Sequence, residues 1–478
     1  MSANNLRAEV LVIGSGPGGA TTAHALAERG KDVLILEEGP DLPLDSCAPF
    51  SVEEMRQKYR AGGLNPALGA GKVALVEGRC AGGGSEINSA LYHRTPADIL
   101  DHWRQTFKVQ NTRECDLLPH FQYCEEALRV GTSPAQTPLA SRKLHHGAQQ
   151  LAWHSLEVPR CFKYSETPEP DGSVGGTRQS MTRTFLPRAR QAGARLMPLT
   201  RANRLRRDGS GWAASATTAG NLVEIHADTV FVCGGAIQSP LLLRRSGFTR
   251  NVGNTLALHP TVKAVALFDE EVNHESMGVP VHQVKEFSPR MSFGCSVSSP
   301  PYLALALSGY RPSEIALKER WRNMAIYYGM ITGPNNGSVR PLLNLPDPLI
   351  RYGLSPIDLR DLATALRRLC KILLAAGARK VYPCVDGARP ISSEDELSSI
   401  PSMLPADRSN LMTIHLFSSC PMGEDPSRCA VDSVGRVHGT SNLIVNDASL
   451  ICTAPGVNPQ GTTMALAHRN VMHFLGRI

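Results

Sequence analysis

Residues 8–39 read AEVLVIGSGPGGATTAHALAERGKDVLILEEG. The apolar run at 8–13 ends on Gly14, the pattern of a buried strand. Residues 18–29 predict a helix that stops at Gly30, and residues 32–37 a second buried strand. Strand, helix and strand within about thirty residues make a βαβ unit, which needs a parallel sheet covered on both faces. Gly14-Ser15-Gly16-Pro17-Gly18-Gly19 at the first junction fits G-x-G-x-x-G. Gly14 permits the tight turn, Gly16 the close approach of a pyrophosphate, and Gly19 tight packing of helix on strand. The helix start then presents free N–H groups and partial positive charge to phosphates. Glu37, 18 residues beyond Gly19, ends the second strand, where a carboxylate accepts from ribose hydroxyls and disfavours a 2′-phosphate. Glu38 is the competing acid. Strand register decides between them, and Glu37 is the reading adopted.

A second glycine run, Gly82-Gly83-Gly84-Ser85 with Asn88 beyond it, has no side chains to fill a core. Consecutive glycines are costly in backbone entropy and make sense where backbone must approach a flat ring or a phosphate. A plain flexible loop is the alternative. The approach reading implies a cofactor with a large second half, such as an isoalloxazine.

The chain has 478 residues, 42% hydrophobic and 19% charged, which is globular composition with room for more than one core. The net charge of +7 is scattered, the longest cationic run being residues 204–207, so no nucleic-acid stripe is expected. The polar first nine residues and the lack of a long apolar stretch predict a cytoplasmic protein without a transmembrane segment. The twelve cysteines have no C-x-x-C pair and predict reduced, mostly buried thiols; no metal site is expected.

Further along, helices are expected within 51–61, 101–130, 236–246 and 356–377, and from Pro459 to the C-terminus. Trp103, Phe107, Leu117, Phe121 and Leu128 are candidate core. Residues 165–177 read as an exposed Pro/Gly-rich stretch, 194–231 as a β-meander ending in a buried strand, and 434–447 as a hairpin or strand with turns at Gly435 and Gly439. Strands are expected at VKAVALF, VHQVKEF and within WRNMAIYYGMIT, between 262 and about 345.

Five blocks in order then carry a resemblance: 11–39, EGRCAGGGSEINSALYHRTP at 77–96, VCGGAIQSPLLLRRSG at 232–247, LALHPTV at 256–262, and the tail HLFSSCPMG at 415–423 with VNDASLICTAPGVNPQGTTMALAHR at 445–469. The chain resembles the glucose–methanol–choline (GMC) family of flavoprotein oxidoreductases, nearly end to end and most weakly over 265–355. The resemblance implies FAD and an α/β fold: a Rossmann-like FAD-binding domain from discontinuous segments (1–100, 181–262, 425–478) and a substrate domain (101–180, 263–424) with an antiparallel sheet backed by helices. It places His415 at the family's active-site histidine and Asn458 at its second catalytic position. Asp447, Gly456 and Pro459 match a segment that wraps the flavin. Gly82, Gly83, Ser85 and Asn88 match the flavin-side loop, and Gly234, Pro240 and His259 match further structural or cofactor-proximal positions. The chain departs from the frequent His-Pro-x-Gly-Thr pattern after His415 and has Cys452 where proline is usual. Some members bind flavin covalently through a histidine where this chain has Ile87, so non-covalent FAD is expected; His93 is the residue that would overturn this.

The chemistry expected is oxidation of an alcohol. The carbinol carbon gives up hydride readily only as its oxygen becomes alkoxide-like. Histidine, titrating near neutrality, suits a base or alkoxide stabiliser, and asparagine an uncharged hydrogen-bonding partner. The substrate expected is a hydrophobic or moderately polar alcohol, and the electron acceptor dioxygen or a quinone or carrier protein. The competing readings are a lyase of the same fold, an FAD monooxygenase, and an NAD-dependent dehydrogenase. The monooxygenases usually carry a Gly-Asp motif that this sequence lacks. Cys420 reads as a small core filler, and His438 and His468 as surface or helix histidines.

Overall fold

A computed structural model of the chain describes residues 6–477 apart from 64, 70, 169–173, 276–277, 312–314, 316, 335 and 344. The opening βαβ unit is present as β1 (Leu6–Ile13), α1 (Pro17–Ala27) and β2 (Val33–Leu36), with β1 and β2 parallel. Gly30, at φ 77°, follows the end of α1. From Gly18 onward every residue of α1 is buried. Its small side chains let it lie between the sheet and the helices Phe185–Gln191 and Gln460–Phe474, as expected of a helix apolar on all sides.

β1 and β2 belong to a seven-stranded sheet drawn from distant parts of the chain. Its order is Thr200–Asp208, Gly211–Thr218, Asn221–Val232, β1, β2, Arg195–Met197. The first three strands form the antiparallel meander. The last turn of the strand Asn221–Val232 also takes Leu443–Val445 as a parallel neighbour. The turn glycines at 435 and 439 have positive φ as expected, but the strand they lead into joins this sheet rather than standing as an isolated hairpin.

The second sheet has six strands, antiparallel at every pairing: Lys380–Pro383, Thr261–Leu267, Met324–Ile331, Met291–Cys295, His282–Val284, Ser155–Glu157. One face packs on the helices Pro356–Ala375 and Leu139–Gln150. The former has Leu359, Leu362, Leu366, Leu369 and Leu373 buried, and Ser355 and Asp358 close a capping box at its start. The helices Ala97–Thr106 and Glu114–Leu128 share the core of the first sheet through Trp103, Leu117 and Phe121.

Two local readings gain detail and one is corrected. The Pro/Gly-rich stretch 165–177 falls on the antiparallel strands Arg160–Pro168 and Val174–Arg178, with 169–173 outside the described residues. Within VHQVKEF only His282–Val284 is strand. His468 is a helix histidine, on Gln460–Phe474. It is buried with its Nδ1 3.0 Å from His120 Nδ1, and Tyr123 stacks on its ring. Ten of the twelve cysteines are buried. Burial holds the Cys420 thiol well above its ordinary pKa, as suits a packed rather than reactive group. Among the described residues no helix is long and apolar enough to cross a membrane, and no cluster of three or more His, Cys, Asp or Glu could hold a metal ion.

Candidate active site

A cavity of about 1010 Å³ runs between the two sheets. At one end it meets the glycine turn after β1. Gly14 (φ 104°) has no room for a side chain, because a Cβ would lie 2.3 Å from Cys233 O, and a Cβ on Gly19 would lie 1.9 Å from Gly14 O. Both follow from strand and helix packing at contact distance. Gly16 is different: a Cβ there would meet only Gly83 Cα, at 3.9 Å, so its backbone is bare toward the cavity.

Glu37 organises this turn. Its Oε2 accepts from the Ser15 N–H at 3.1 Å and Ser15 Oγ at 2.6 Å, and its Oε1 from the Gly39 N–H at 2.8 Å. Burial raises its pKa against those donors. Glu38 is engaged elsewhere, with Arg60 at 2.6 Å and with Arg79 and Arg201 at 3.4 Å. Both acids line the cavity, and Glu37 is the one joined to the glycine turn.

The second glycine run lies against the first. The Gly82 N–H donates to Ser15 Oγ at 3.1 Å, and a Cβ on Gly83 would come 2.9 Å from Gly16 Cα. Gly83 and Gly84 line the cavity, whereas Gly82 and Ser85 do not. Ser85 Oγ donates to Gly82 O and accepts from the Met181 N–H, so it fixes the loop. Asn88 lines the cavity and donates to Gln460 Oε1 at 2.6 Å. Gly234, Asp447 and Pro459 also line it. Asp447 accepts from the Gly235 N–H (2.7 Å), Ser239 Oγ (2.5 Å) and the Ser449 N–H (2.8 Å), which ties the C-terminal turn to the helix Gly235–Arg245. Bare backbone at residues 14–18, 83–84 and 234–235, on three sides of a long cavity at the upper end of ligand-pocket volumes, fits a dinucleotide with space beyond it.

At the far end His415 and Asn458 meet. Asn458 Nδ2 lies 3.3 Å from His415 Nε2, and both residues line the cavity. His415 follows the strand Asn410–Thr413, and its N–H donates to Thr413 Oγ1. Asn458 and Pro459 precede the helix Gln460–Phe474. Burial, with the charge of Lys285, holds the His415 pKa down at about 4, so the ring is neutral near pH 7.

His259, which the resemblance placed near the cofactor, and two residues outside the sequence-based site complete this network. His259 Nδ1 lies 3.1 Å from His415 Nδ1, and His259 Nε2 accepts from the Gly456 N–H at 3.1 Å. Gln283 Nε2 donates to Asn458 Oδ1 at 3.2 Å and to Tyr328 Oη at 3.0 Å. The Nδ1···Nδ1 contact holds one proton between two neutral rings. On His415 it leaves Nε2 as an acceptor facing the Asn458 amide; on His259, the position favoured by the Gly456 N–H, it makes Nε2 a donor. Gly456, at φ 69°, therefore acts through His259 and does not line the cavity. The signal for Gln283 and Tyr328 is in the sequence, as polar groups on otherwise apolar strands, but only register shows that they face this site. Ile87 lines the cavity; His93 is buried outside its lining.

Comparison with known proteins agrees with this geometry. The GMC oxidoreductase family matches over residues 11–261 with its N-terminal part and 337–467 with its C-terminal part. An uncharacterized GMC-type oxidoreductase of Sinorhizobium fredii is 40% identical over 474 residues, covering 97% of this chain and 94% of that protein. A long-chain-alcohol oxidase of Arabidopsis thaliana is 26% identical over 509 residues, covering 97% of this chain and 67% of its own length. The crystal structure of pyridoxine 4-oxidase from Mesorbium loti superposes with a TM-score of 0.74 at 19% identity, covering 98% of this chain and 99% of that one. The chain belongs to the GMC oxidoreductase family and is an FAD-dependent oxidoreductase.

Proposed function

We propose that the protein oxidises an alcohol to an aldehyde or ketone, with His415 and Asn458 at the reacting oxygen. The observation that carries this reading is their meeting at 3.3 Å on the cavity wall from positions 43 residues apart. Bound FAD supplies a two-electron hydride acceptor, the N5 atom of the isoalloxazine. His415 Nε2 takes or shares the hydroxyl proton, so that the oxygen gains alkoxide character as the carbinol hydrogen leaves. Its low pKa keeps the ring neutral near pH 7, and the tautomer with the proton on His415 Nδ1, which the facing Asn458 amide favours, leaves the Nε2 lone pair free. The Asn458 amide donates to the same oxygen, and Gln283, itself hydrogen-bonded to Tyr328, holds that amide. Gly14, Gly16, Gly83, Gly84 and Gly234 would give backbone to the dinucleotide, and Glu37 would accept from its ribose. The long-chain-alcohol and pyridoxine oxidases among the similar proteins support the substrate class.

We assign FAD a non-covalent mode, supported by Ile87 rather than a histidine at the cavity wall. The FAD part comprises 1–100, 181–262 and 425–478 and the substrate part 101–180 and 263–424, with the helix Glu114–Leu128 of the latter packed into the core of the FAD part. Dioxygen or a quinone or carrier protein reoxidises the enzyme. The decisive experiment mixes alcohols with the holoenzyme under anaerobic conditions. The wild-type flavin bleaches, and His415→Ala retains flavin absorbance while losing most of the bleaching. Full-rate bleaching in that variant removes His415 from the reaction. Substrate turnover without any flavin reduction would instead identify a lyase.

A further inference from the structure

Lys263 places an ammonium group against the cavity with no counter-ion. The strand Thr261–Leu267 alternates: Val262, Ala264 and Ala266 enter the core beneath the six-stranded sheet, while Thr261 and Lys263 line the cavity. Lys263 stands directly opposite Tyr328 on the neighbouring strand, and Ile326, Tyr328 and Met330 line the same wall. That wall therefore carries Lys263 and, through Tyr328 and Gln283, the amide of Asn458.

Among the described residues Lys263 Nζ has one hydrogen-bond partner, Met412 Sδ at 3.1 Å; the Cys384 thiol is also near, kept protonated by burial. A thioether is a weak acceptor, and an ammonium has three donors to satisfy. Other lysines of this chain have acids beside them: Lys58 has Glu54 at 3.7 Å, Lys31 has Glu9 at 2.5 Å and Lys371 has Glu394 at 3.3 Å. Among the described residues no carboxylate lies within ion-pair distance of Lys263. Desolvation lowers its pKa, as expected of a cation without compensation. Lys285 shares the lack of a side-chain partner, but it does not line the cavity. The cations at the opposite end are engaged: Arg60 and Arg201 with Glu38, and Arg245 with the carbonyls of Leu345 and Pro346.

A cation held in a cavity wall without its own acid is balanced when the ligand brings one. We infer that Lys263 is the specificity anchor for a carboxylate on the substrate, so that the preferred alcohol is a hydroxy acid whose charge lies away from the carbinol carbon. A single cation on this wall suits a monoanion better than a phosphate. The apolar neighbours Ile326, Met330, Val297 and Leu305 suit a hydrocarbon linker between the two groups. The inference rests on the alcohol-oxidase reading and adds its substrate class.

The test uses FAD-loaded wild type, Lys263→Met and Lys263→Gln, each with flavin content and far-ultraviolet circular dichroism matched. Anaerobic bleaching is followed with straight-chain primary alcohols and with ω-hydroxyalkanoates of equal chain length. Decanoate is titrated separately as a non-reacting probe, read by the flavin absorbance. In the wild type the hydroxy acids are expected to have the higher kcat/KM. In both variants the ratio of hydroxy-acid to alcohol kcat/KM is expected to fall about tenfold or more, through KM, and decanoate binding to weaken in parallel. A wild type that reacts equally with both series, or a ratio unchanged in the variants, overturns the anchor and leaves alcohol oxidation standing. Equal losses on both series would overturn it too, by placing the charge at the reacting centre. A wild type bleached by dithionite but by no alcohol overturns the underlying reading and this inference together.

Discussion

Glu37 shows how much one carboxylate does at the nucleotide end. It accepts two hydrogen bonds from Ser15 and one from the Gly39 N–H, while Ser15 Oγ accepts the Gly82 N–H. Glu37→Gln places an NH2 donor against one of these N–H or O–H donors. The expected cost is about 1–3 kcal/mol with weaker FAD retention, read as a lower thermal midpoint and more flavin in the filtrate on dilution. Position 37, like Gly14, Gly16 and Gly19, is legible in the sequence because the turn that holds phosphates constrains residue type at fixed local spacing. Gln283, Tyr328 and Lys263 are not. Each reaches the site through pairings between strands far apart in the chain, and no local spacing records which face of a strand a residue takes. The resemblance supplied His415 and Asn458 but gave Ser85 and Gly82 a cofactor-side position, whereas both stand behind the cavity wall.

Among the elements, the helix Pro356–Ala375 was the most readable, because its leucines recur at three and four residues and its ends carry a capping serine and a glycine. Ser355 Oγ accepts the Asp358 N–H at 3.2 Å, and Asp358 accepts the Ser355 N–H at 2.7 Å. Ser355→Ala should lower stability by about 1 kcal/mol, measured by chemical denaturation, with the flavin spectrum unaltered because the helix lies on the face of the sheet away from the cavity. The strands Arg160–Pro168 and Val174–Arg178 were the opposite case. Proline and glycine there read only as an exposed stretch, yet Gly176 serves strand pairing: a Cβ on it would lie 2.3 Å from Lys163 O. Composition does not separate a glycine that frees the chain from one that lets two strands close.

Over the whole molecule, buried imidazoles set the response to acid. Burial holds the pKa of His120 at about 4, of His468 at about 3 and of His282 at about 4, against 6.5 for the ordinary side chain. Below 6.5 the unfolded chain takes up these protons and the folded chain does not, so their contribution to stability is present above pH 6.5 and lost as the pH falls toward those values. The thermal midpoint should fall between about pH 7 and about pH 5, with a shallower slope in His120→Phe. A slope unchanged by that substitution would take His120 out of the account. The parallel pairing of Val230 with Leu443, on the strand whose other edge holds β1, has a consequence for synthesis. At a translation rate of about 5–20 residues per second, the strand at 443–445 leaves the ribosome roughly 20–90 s after β1. Until then the nascent chain carries an unfinished sheet edge and no Asp447 turn. Capture of the flavin therefore waits for synthesis of residues 443–447, and a chaperone that shields that edge should raise the yield of yellow protein more than added flavin does.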